Sequence, residues 1–414
     1  MSDREIKVLF VNSFYKGGGA ENIMRQLYEN LPEMYNVTAY CIVGREKDVP
    51  YDVEVIYKSV LSRAANLIIR KNTEYMMLHD KFSLGKILKL IEIHKIDIVH
   101  FHNLHGNYFG IRDVAEIAKR CKVIWTLHDM WAVTGHCAQP IRCLRWRTDN
   151  EIPCAKCDNL ELAPPLRRQK TAKLIQEKRK AFTNKNIQFV VPSIWLKKRL
   201  ENSFLCNEDI SVIENGVDLE SFKKKDKTAE RQKNKIDTFK TIFLFSANGM
   251  NNPYKGLDIL IQALNRCRYK ERILLLAVGG GKLDGLSEEL EIYNVGRIES
   301  DKQMNRIYAL ADVFIMPSRA ENYPCSVLES MASGTPVIGS DVGGIPEQIS
   351  EDTGWIFCDG DSEKLCMIID QIAAGKYNLT EYAKRCRKRA QSVFCKERML
   401  WRYYELYCRL IEEI

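Results

Sequence analysis

Two glutamates, Glu321 and Glu329, are separated by seven residues in ENYPCSVLE, and their setting carries the sharpest chemical signal in the chain. The preceding segment DVFIMPS (312–318) reads as a buried strand. Pro324 suits the first turn of a helix, so the spacing predicts Glu321 in a loop and Glu329 on the helix. The start of that helix, at Cys325, Ser326 and Val327, would offer N–H groups and partial positive charge to a diphosphate. Two ordinary surface glutamates are the bland alternative. Lys255, followed by Gly256 after the loop ANGMNNPY, could meet a phosphate as a point charge or simply be solvated. Gly17, Gly18 and Gly19 lie between the strand IKVLFVNS (6–13) and a helix starting near Ala20. Glycine permits close backbone approach, so this turn suits a diphosphate or a sugar, though a plain tight turn would look the same. It does not spell the dinucleotide fingerprint, which argues against NAD. A second turn, Gly279-Gly280-Gly281, follows RILLLAV (272–278).

His128 ends KVIWTLHD (122–129), and the carboxyl ends of parallel strands face the ligand crevice. A histidine there could donate a hydrogen bond to a sugar hydroxyl or help place a leaving group. His102 and His105, in VHFHNLHG, are candidate acceptor contacts, against the alternative of packed or solvated rings. Cys137, Cys143, Cys154 and Cys157, spaced x5, x10 and x2 with His136 adjacent, could form a tetrahedral structural zinc site. Free buried thiols or a redox pair would fit the same spacing. With no signal-peptide pattern, the 14 cysteines do not suggest a disulfide scaffold. Cys41, Cys121, Cys267 and Cys325 lie in apolar patterns, where cysteine packs as a small hydrophobe.

The elements that would position these residues alternate between strand and helix. IKVLFVNS, NVTAYCIV (36–43), IDIVHFH (96–102), KVIWTLHD, IQFVVPS (187–193) and DISVIENG (209–216) read as strands, with AENIMRQLYENL (20–31) and LGKILKLIEIHK (84–95) among the helices. That order implies a parallel sheet covered on both faces. KKKDKTAERQKNK (223–235), charged and nearly free of apolar residues, reads as a linker. The alternation then restarts at FKTIFLFSA (239–247), with VGRI (295–298) as a short strand. Two Rossmann-like domains follow, 1–217 and 218–397, and a long amphipathic helix in 394–414.

The 414 residues are 45% hydrophobic and 28% charged, a globular composition, and no apolar run is long enough to span a membrane. A cytoplasmic protein is expected. The net charge of +8 suits anionic ligands, an anionic membrane surface or nucleic acid without choosing among them. The basic stretches 61–71 and 166–182 are either solvated helix faces or membrane-docking surfaces.

In their joint order these motifs resemble the family-4 glycosyltransferases: Gly17–Gly19, His128, Ser193 in VVPSIWL, Asn215-Gly216-Val217-Asp218, Lys255-Gly256, the Gly279 turn, Glu321 and Glu329, then Gly343-Gly344-Ile345-Pro346-Glu347. The similarity spans nearly the whole chain. His128-Asp129-Met130-Trp131 followed by cysteines resembles the exopolysaccharide and capsule branch, of the colanic-acid type. The resemblance implies the GT-B fold, with two Rossmann-like domains facing a cleft and residues 398–414 crossing back to the first. It implies transfer of a sugar, with retention, from a nucleotide-diphosphate donor such as a UDP-sugar. The acceptor would be a saccharide or a polyprenyl-diphosphate-linked saccharide, reached in some members by docking on the inner membrane face. Gly18, Gly19, Asn215, Lys255, Gly280, Ser326, Val327 and Glu329 would serve the donor, Glu329 through the ribose hydroxyls. Glu321 would approach the transferred sugar, and His128 would join it in catalysis. No metal cofactor would be needed at the diphosphate. The family's second phosphate-binding residue, an arginine about six positions before the lysine, falls here at Gly249 or Asn248. A GT-B nucleotide-sugar 2-epimerase, or a non-catalytic zinc-containing nucleic-acid-binding protein, are the rival readings.

Overall fold

The structure, a computed structural model, describes residues 4–412 other than 47, 60, 62–63, 65–77, 107, 237–238, 251, 282 and 299, and the backbone alone of Asn248. Nearly all of the basic stretch 61–71 lies outside the described residues. The chain divides into two compact units, Met1–Glu214 with Met399–Ile414, and Asn215–Arg398.

In the first unit a seven-stranded parallel sheet takes the order β3-β2-β1-β4-β5-β6-β7. Its strands are β1 (Ile6–Asn12), β2 (Val37–Val43), β3 (Val53–Val55), β4 (Ile98–Phe101), β5 (Lys122–Thr126), β6 (Ile187–Val191) and β7 (Ile210–Val212). Helices α1 (Gly19–Met34), α2 (Lys81–His94), α3 (Asp113–Ala118), α4 (Thr171–Phe182) and α5 (Ile194–Glu201) connect them. β1 and β4 are almost unbroken apolar runs, as strands buried on both faces must be. The terminal helix Lys396–Glu412 belongs to this unit from Met399 onward. Its buried Tyr407 and Tyr403 reach His100 and Thr126 at 2.7 and 2.9 Å.

The second unit repeats the plan with six parallel strands in the order β10-β9-β8-β11-β12-β13. They are β8 (Thr241–Gly249), β9 (Ile273–Gly280), β10 (Glu291–Gly296), β11 (Val313–Met316), β12 (Val337–Ser340) and β13 (Gly354–Phe357), with helices α6 (Lys227–Lys233), α7 (Leu257–Arg266), α8 (Asp301–Leu310) and α9 (Cys325–Ala332). In each sheet the strand order reverses beside its first strand, between β1 and β4 and between β8 and β11. Connections on either side of such a point run to opposite faces, leaving a crevice at the carboxyl ends of the strands.

Two sequence expectations need correction. The tract 223–235 is not a flexible linker but holds α6, ordered within the second unit. Lys227 and Arg231 each reach the Asp312 carboxylate at 2.8 Å, so paired charge does there what apolar burial does elsewhere. The edge strand is Glu291–Gly296, earlier than 295–298, because β10 pairs with β9 from Leu274 onward.

Candidate functional site

In the second unit the loops after β8 and β11 are joined by several contacts. The Arg319 amide donates to the Tyr254 carbonyl at 2.8 Å, and its guanidinium grips Asp258 with bonds of 2.6 and 2.7 Å. Gly256 has φ of +65°, and a Cβ there would stand 1.8 Å from the Pro317 carbonyl oxygen. Only glycine allows these loops to meet. Gly256→Ala is expected to cost at least ~1–3 kcal/mol, the range for local backbone strain, measured by urea denaturation; an unchanged midpoint would refute this close approach.

This junction brings Lys255 Nζ to Glu321 Oε1 at 2.7 Å, with Ser318 Oγ on the same oxygen at 3.3 Å. Glu321 lies in the loop after β11, and Glu329 lies on α9, which begins at Cys325. Gly343, at φ +60°, lets the loop after β12 close on Glu321, since a Cβ would lie 1.9 Å from the Glu321 carbonyl. Glu329 is partly buried, and burial pushes its carboxyl up to about 7, with Asp301 adding to the rise. The Tyr308 hydroxyl donates to it at 3.2 Å and pulls the other way.

The other predicted donor residues fall into different roles. The N–H groups of Cys325 and Ser326 stand in the first turn of α9, where no residue of the helix can accept from them. The Val327 side chain is fully buried in the core. Asn215 is buried, and its amide donates to the Tyr323 carbonyl at 2.9 Å, bracing the Glu321 loop from behind. Gly280 ends β9 and pairs with Gly249. A Cβ on Gly280 would lie 2.8 Å from Arg297 Nε, so an exposed guanidinium stands over this glycine turn. Sequence reading missed Arg297, which lies after β10, far from any motif.

In the first unit Gly18 caps α1 and Gly19 is its first residue. The Glu21 carboxylate folds back over this turn, 2.8 Å from where a Gly18 Cβ would be. Burial pushes its carboxyl above the usual range, while His105 and the side chains of Asn12 and Asn103 oppose the shift. The Ser13 hydroxyl ties the loop after β1 to that after β4, donating to the His105 carbonyl at 2.5 Å and the Asn103 carbonyl at 3.0 Å.

His100, His102 and His128 form a stacked file, with ring centroids 4.5 and 5.2 Å apart. His102 Nδ1 and His128 Nε2 are hydrogen-bonded at 2.9 Å, and His102 Nε2 is buried without a partner. Burial holds all three rings below the usual imidazole value, His128 at about 4, so the file is neutral near pH 7. His105 differs, because Asp129 at 2.7 Å raises it against the effect of burial. His102, His105 and His128 therefore gather at one place, while Glu21 and Asp129 are partners that sequence reading missed. Glu21 gave a faint signal, being acidic in the first turn after the glycines.

Cys137, Cys143, Cys154 and Cys157 line one cavity beyond β5. The basic stretch 166–182 contains α4, which exposes Lys173, Arg179 and Lys180 but buries Lys178. No helix among the described residues is long and apolar enough to cross a membrane.

Comparison with known proteins bears on these two residue sets. Residues 226–393 match the family model for glycosyl transferases group 1, and residues 17–221 match that for glycosyltransferase family 4. WcaC of Escherichia coli, named as a colanic acid biosynthesis glycosyl transferase, is 23% identical over 341 residues, 76% of each chain. Sucrose-phosphate synthase from Thermosynechococcus elongatus superposes with a TM-score of 0.74 at 16% identity, covering 99% of this chain and 100% of that one. HepE of Anabaena, solved with UDP, gives 0.64 at 18%, covering 98% and 100%. The two parallel-sheet, Rossmann-like units are those of the GT-B glycosyltransferases. Matched through its first unit by one family model and through its second by the other, the chain belongs to the family-4 glycosyltransferases.

Proposed function

We propose that the protein transfers a hexosyl group, with retention, from a UDP-sugar to a saccharide or polyprenyl-diphosphate-linked saccharide in surface polysaccharide synthesis. The observation that carries this reading is the grouping of Lys255, Glu321 and Glu329 around the β8/β11 reversal, beside the start of α9. HepE, solved with UDP and with UDP-glucose, supports the choice of base, and WcaC supports the choice of pathway class.

In this reading Glu329 accepts from the two ribose hydroxyls. Lys255 and the α9 N–H groups take the diphosphate, with Arg297 in place of the arginine missing at Gly249. The acceptor hydroxyl attacks the anomeric carbon on the face from which the diphosphate leaves. The new C–O bond forms as the bond to phosphate breaks, and the proton passes to the departing phosphate oxygen. The chain's task is charge stabilisation and orientation, which calls for no metal at the diphosphate. Because Glu21 already covers the start of α1, Gly18 and Gly19 suit sugar hydroxyls better than a second phosphate. His128 and His105 hold the acceptor, the neutral His128 as a hydrogen-bonding group, while the sequence expectation for His102 is corrected: at 1% exposed it orients His128 from behind. The exposed basic face of α4 suits an anionic membrane surface.

The test is a thermal-shift screen against UDP-, GDP- and ADP-sugars. A ligand at 100 times its Kd adds about 2.7 kcal/mol, so a UDP-sugar should raise Tm by several degrees. No shift with any nucleotide sugar would sink the transferase reading, and a shift confined to GDP- or ADP-sugars would sink the choice of base. Mass spectrometry and anomeric NMR of the product then test acceptor and retention.

A further inference from the structure

Lys178 is a buried amine with no anion beside it, and burial lowers its ammonium from 10.5 to about 7. It is 1% exposed, and its ammonium donates to the Trp131 and Thr134 carbonyls while lying 3.7 Å from the Trp131 ring centroid. Among the described residues no carboxylate lies within 4.0 Å of it, and Asp129 nearby is already paired with His105. Burying an unpaired charge is expensive. Thr134, whose carbonyl holds the ammonium at 3.0 Å, lines the same cavity as Cys137 and Cys154.

Those two cysteines face Cys143 and Cys157 across a cavity of about 320 Å³. The surrounding segment, residues 134–170, forms no helix or strand. Loops of that length seldom hold one conformation without a staple, and the fully buried anchors here are few, Trp146 chief among them. The backbone nevertheless turns tightly at the cysteines. Arg142, just before Cys143, and Cys154 itself have φ of 52° and 53°, an unfavourable region for residues with a Cβ. The Gly135 amide donates to Cys154 Sγ at 3.3 Å, and His136 Nε2 lies 3.4 Å from Cys157 Sγ while its Nδ1–H donates to the Pro164 carbonyl. Amides and an oriented imidazole around sulfur are the surroundings that steady metal-bound thiolates.

We propose that Cys137, Cys143, Cys154 and Cys157 bind one zinc ion as a tetrahedral tetrathiolate, with Lys178 as its buried counter-cation. Four thiolates on Zn²⁺ leave two net negative charges, which gives the ammonium its missing partner. The thiol protons leave to solvent on binding. Zinc–sulfur bonds of ~2.3 Å in a tetrahedron need the four sulfurs well within 4.8 Å of one another, closer than they stand here, so binding draws the loops inward on the cavity. The trio of ligating side chains within 4.8 Å of one another among the described residues is a different one, Cys267, Cys366 and Asp370. Its groups are engaged structurally: Asp370 accepts from the Arg268 and Tyr269 amides, and Cys267 donates to the Ala263 carbonyl. The tetrathiolate site would be structural, fixing the segment that follows His128 and Trp131.

The test is elemental analysis of the full chain, expressed with added zinc and purified without chelator. One zinc per chain is expected. Cys143→Ser and Cys157→Ser, checked for folding by circular dichroism, should lose it, whereas Cys366→Ser and His136→Gln should keep it. Cobalt exchanged into the wild-type chain should show the intense sulfur-to-metal absorption of four thiolates. In competition with a chromophoric chelator, Lys178→Met should bind zinc ten- to a hundredfold more weakly, the range for outer-shell partners, and Lys178→Arg should stay within about threefold of wild type. A wild-type chain without transition metal, zinc that survives Cys143→Ser and Cys157→Ser, or loss on Cys366→Ser or His136→Gln would overturn the assignment. Equal affinity in Lys178→Met would remove the counter-cation.

Discussion

Glu321→Gln should lower kcat by ~10²–10³ while leaving the donor KM within about threefold, the pattern of a group whose charge acts mainly in the transition state. The carboxylate is held at 2.7 Å from Lys255 by a junction of loops that the amide leaves intact. The substitution keeps shape and removes charge. It also frees Lys255 for the donor phosphates, so weaker donor binding is not expected. Under the proposed function, what is lost is a negative charge near the anomeric carbon, where positive charge develops as the sugar departs. Glu321→Ala should remove turnover at least as fully. Steady-state kinetics with the donor identified by the thermal screen checks both. A variant at full kcat, or one that loses only donor affinity, would end the catalytic assignment of Glu321.

Glu329 should govern donor affinity, and in a pH-dependent way. Removing a charged acceptor from paired hydroxyls costs about 1.5–3 kcal/mol, so Glu329→Ala should weaken UDP-sugar binding by roughly ten- to a hundredfold with a smaller change in kcat. Burial raises this carboxyl from 4.5 to about 7. Wild-type affinity should therefore fall as pH drops from 8 to 6, when the acceptor becomes protonated. Stability of the unliganded chain should move the other way. The folded state binds the proton more tightly than the unfolded state, so the contribution is complete below pH 4.5 and is lost as pH rises through about 7. Glu329→Gln should flatten both dependences relative to wild type. Calorimetric titration and thermal melts at pH 6, 7 and 8 measure them. Parallel profiles in variant and wild type would refute the raised carboxyl, and unchanged affinity in Glu329→Ala would refute its ribose role.

The alternation of strand and helix was legible in the residues because parallel strands are buried on both faces and must be apolar throughout, as IKVLFVN and IVHF are. Glu321 and Glu329 stood out for a similar local reason: a strand end, a proline and a helix start fix their setting within a dozen residues. Tract 223–235 was misread because α6 is ordered by Asp312, about eighty positions away, and composition cannot register such a partner. Glu21 over Gly18, Arg297 over Gly280, and Lys178 held by Thr134 at the wall of the cysteine cavity were invisible for the same cause. The repeated α/β plan and the local motifs are written in the order of residues along the chain, since both follow from periodicity and short-range sterics. Which charges meet, which imidazoles stay neutral and which lysine is buried were decided only by the tertiary structure, because electrostatic energy depends on distance and desolvation through space.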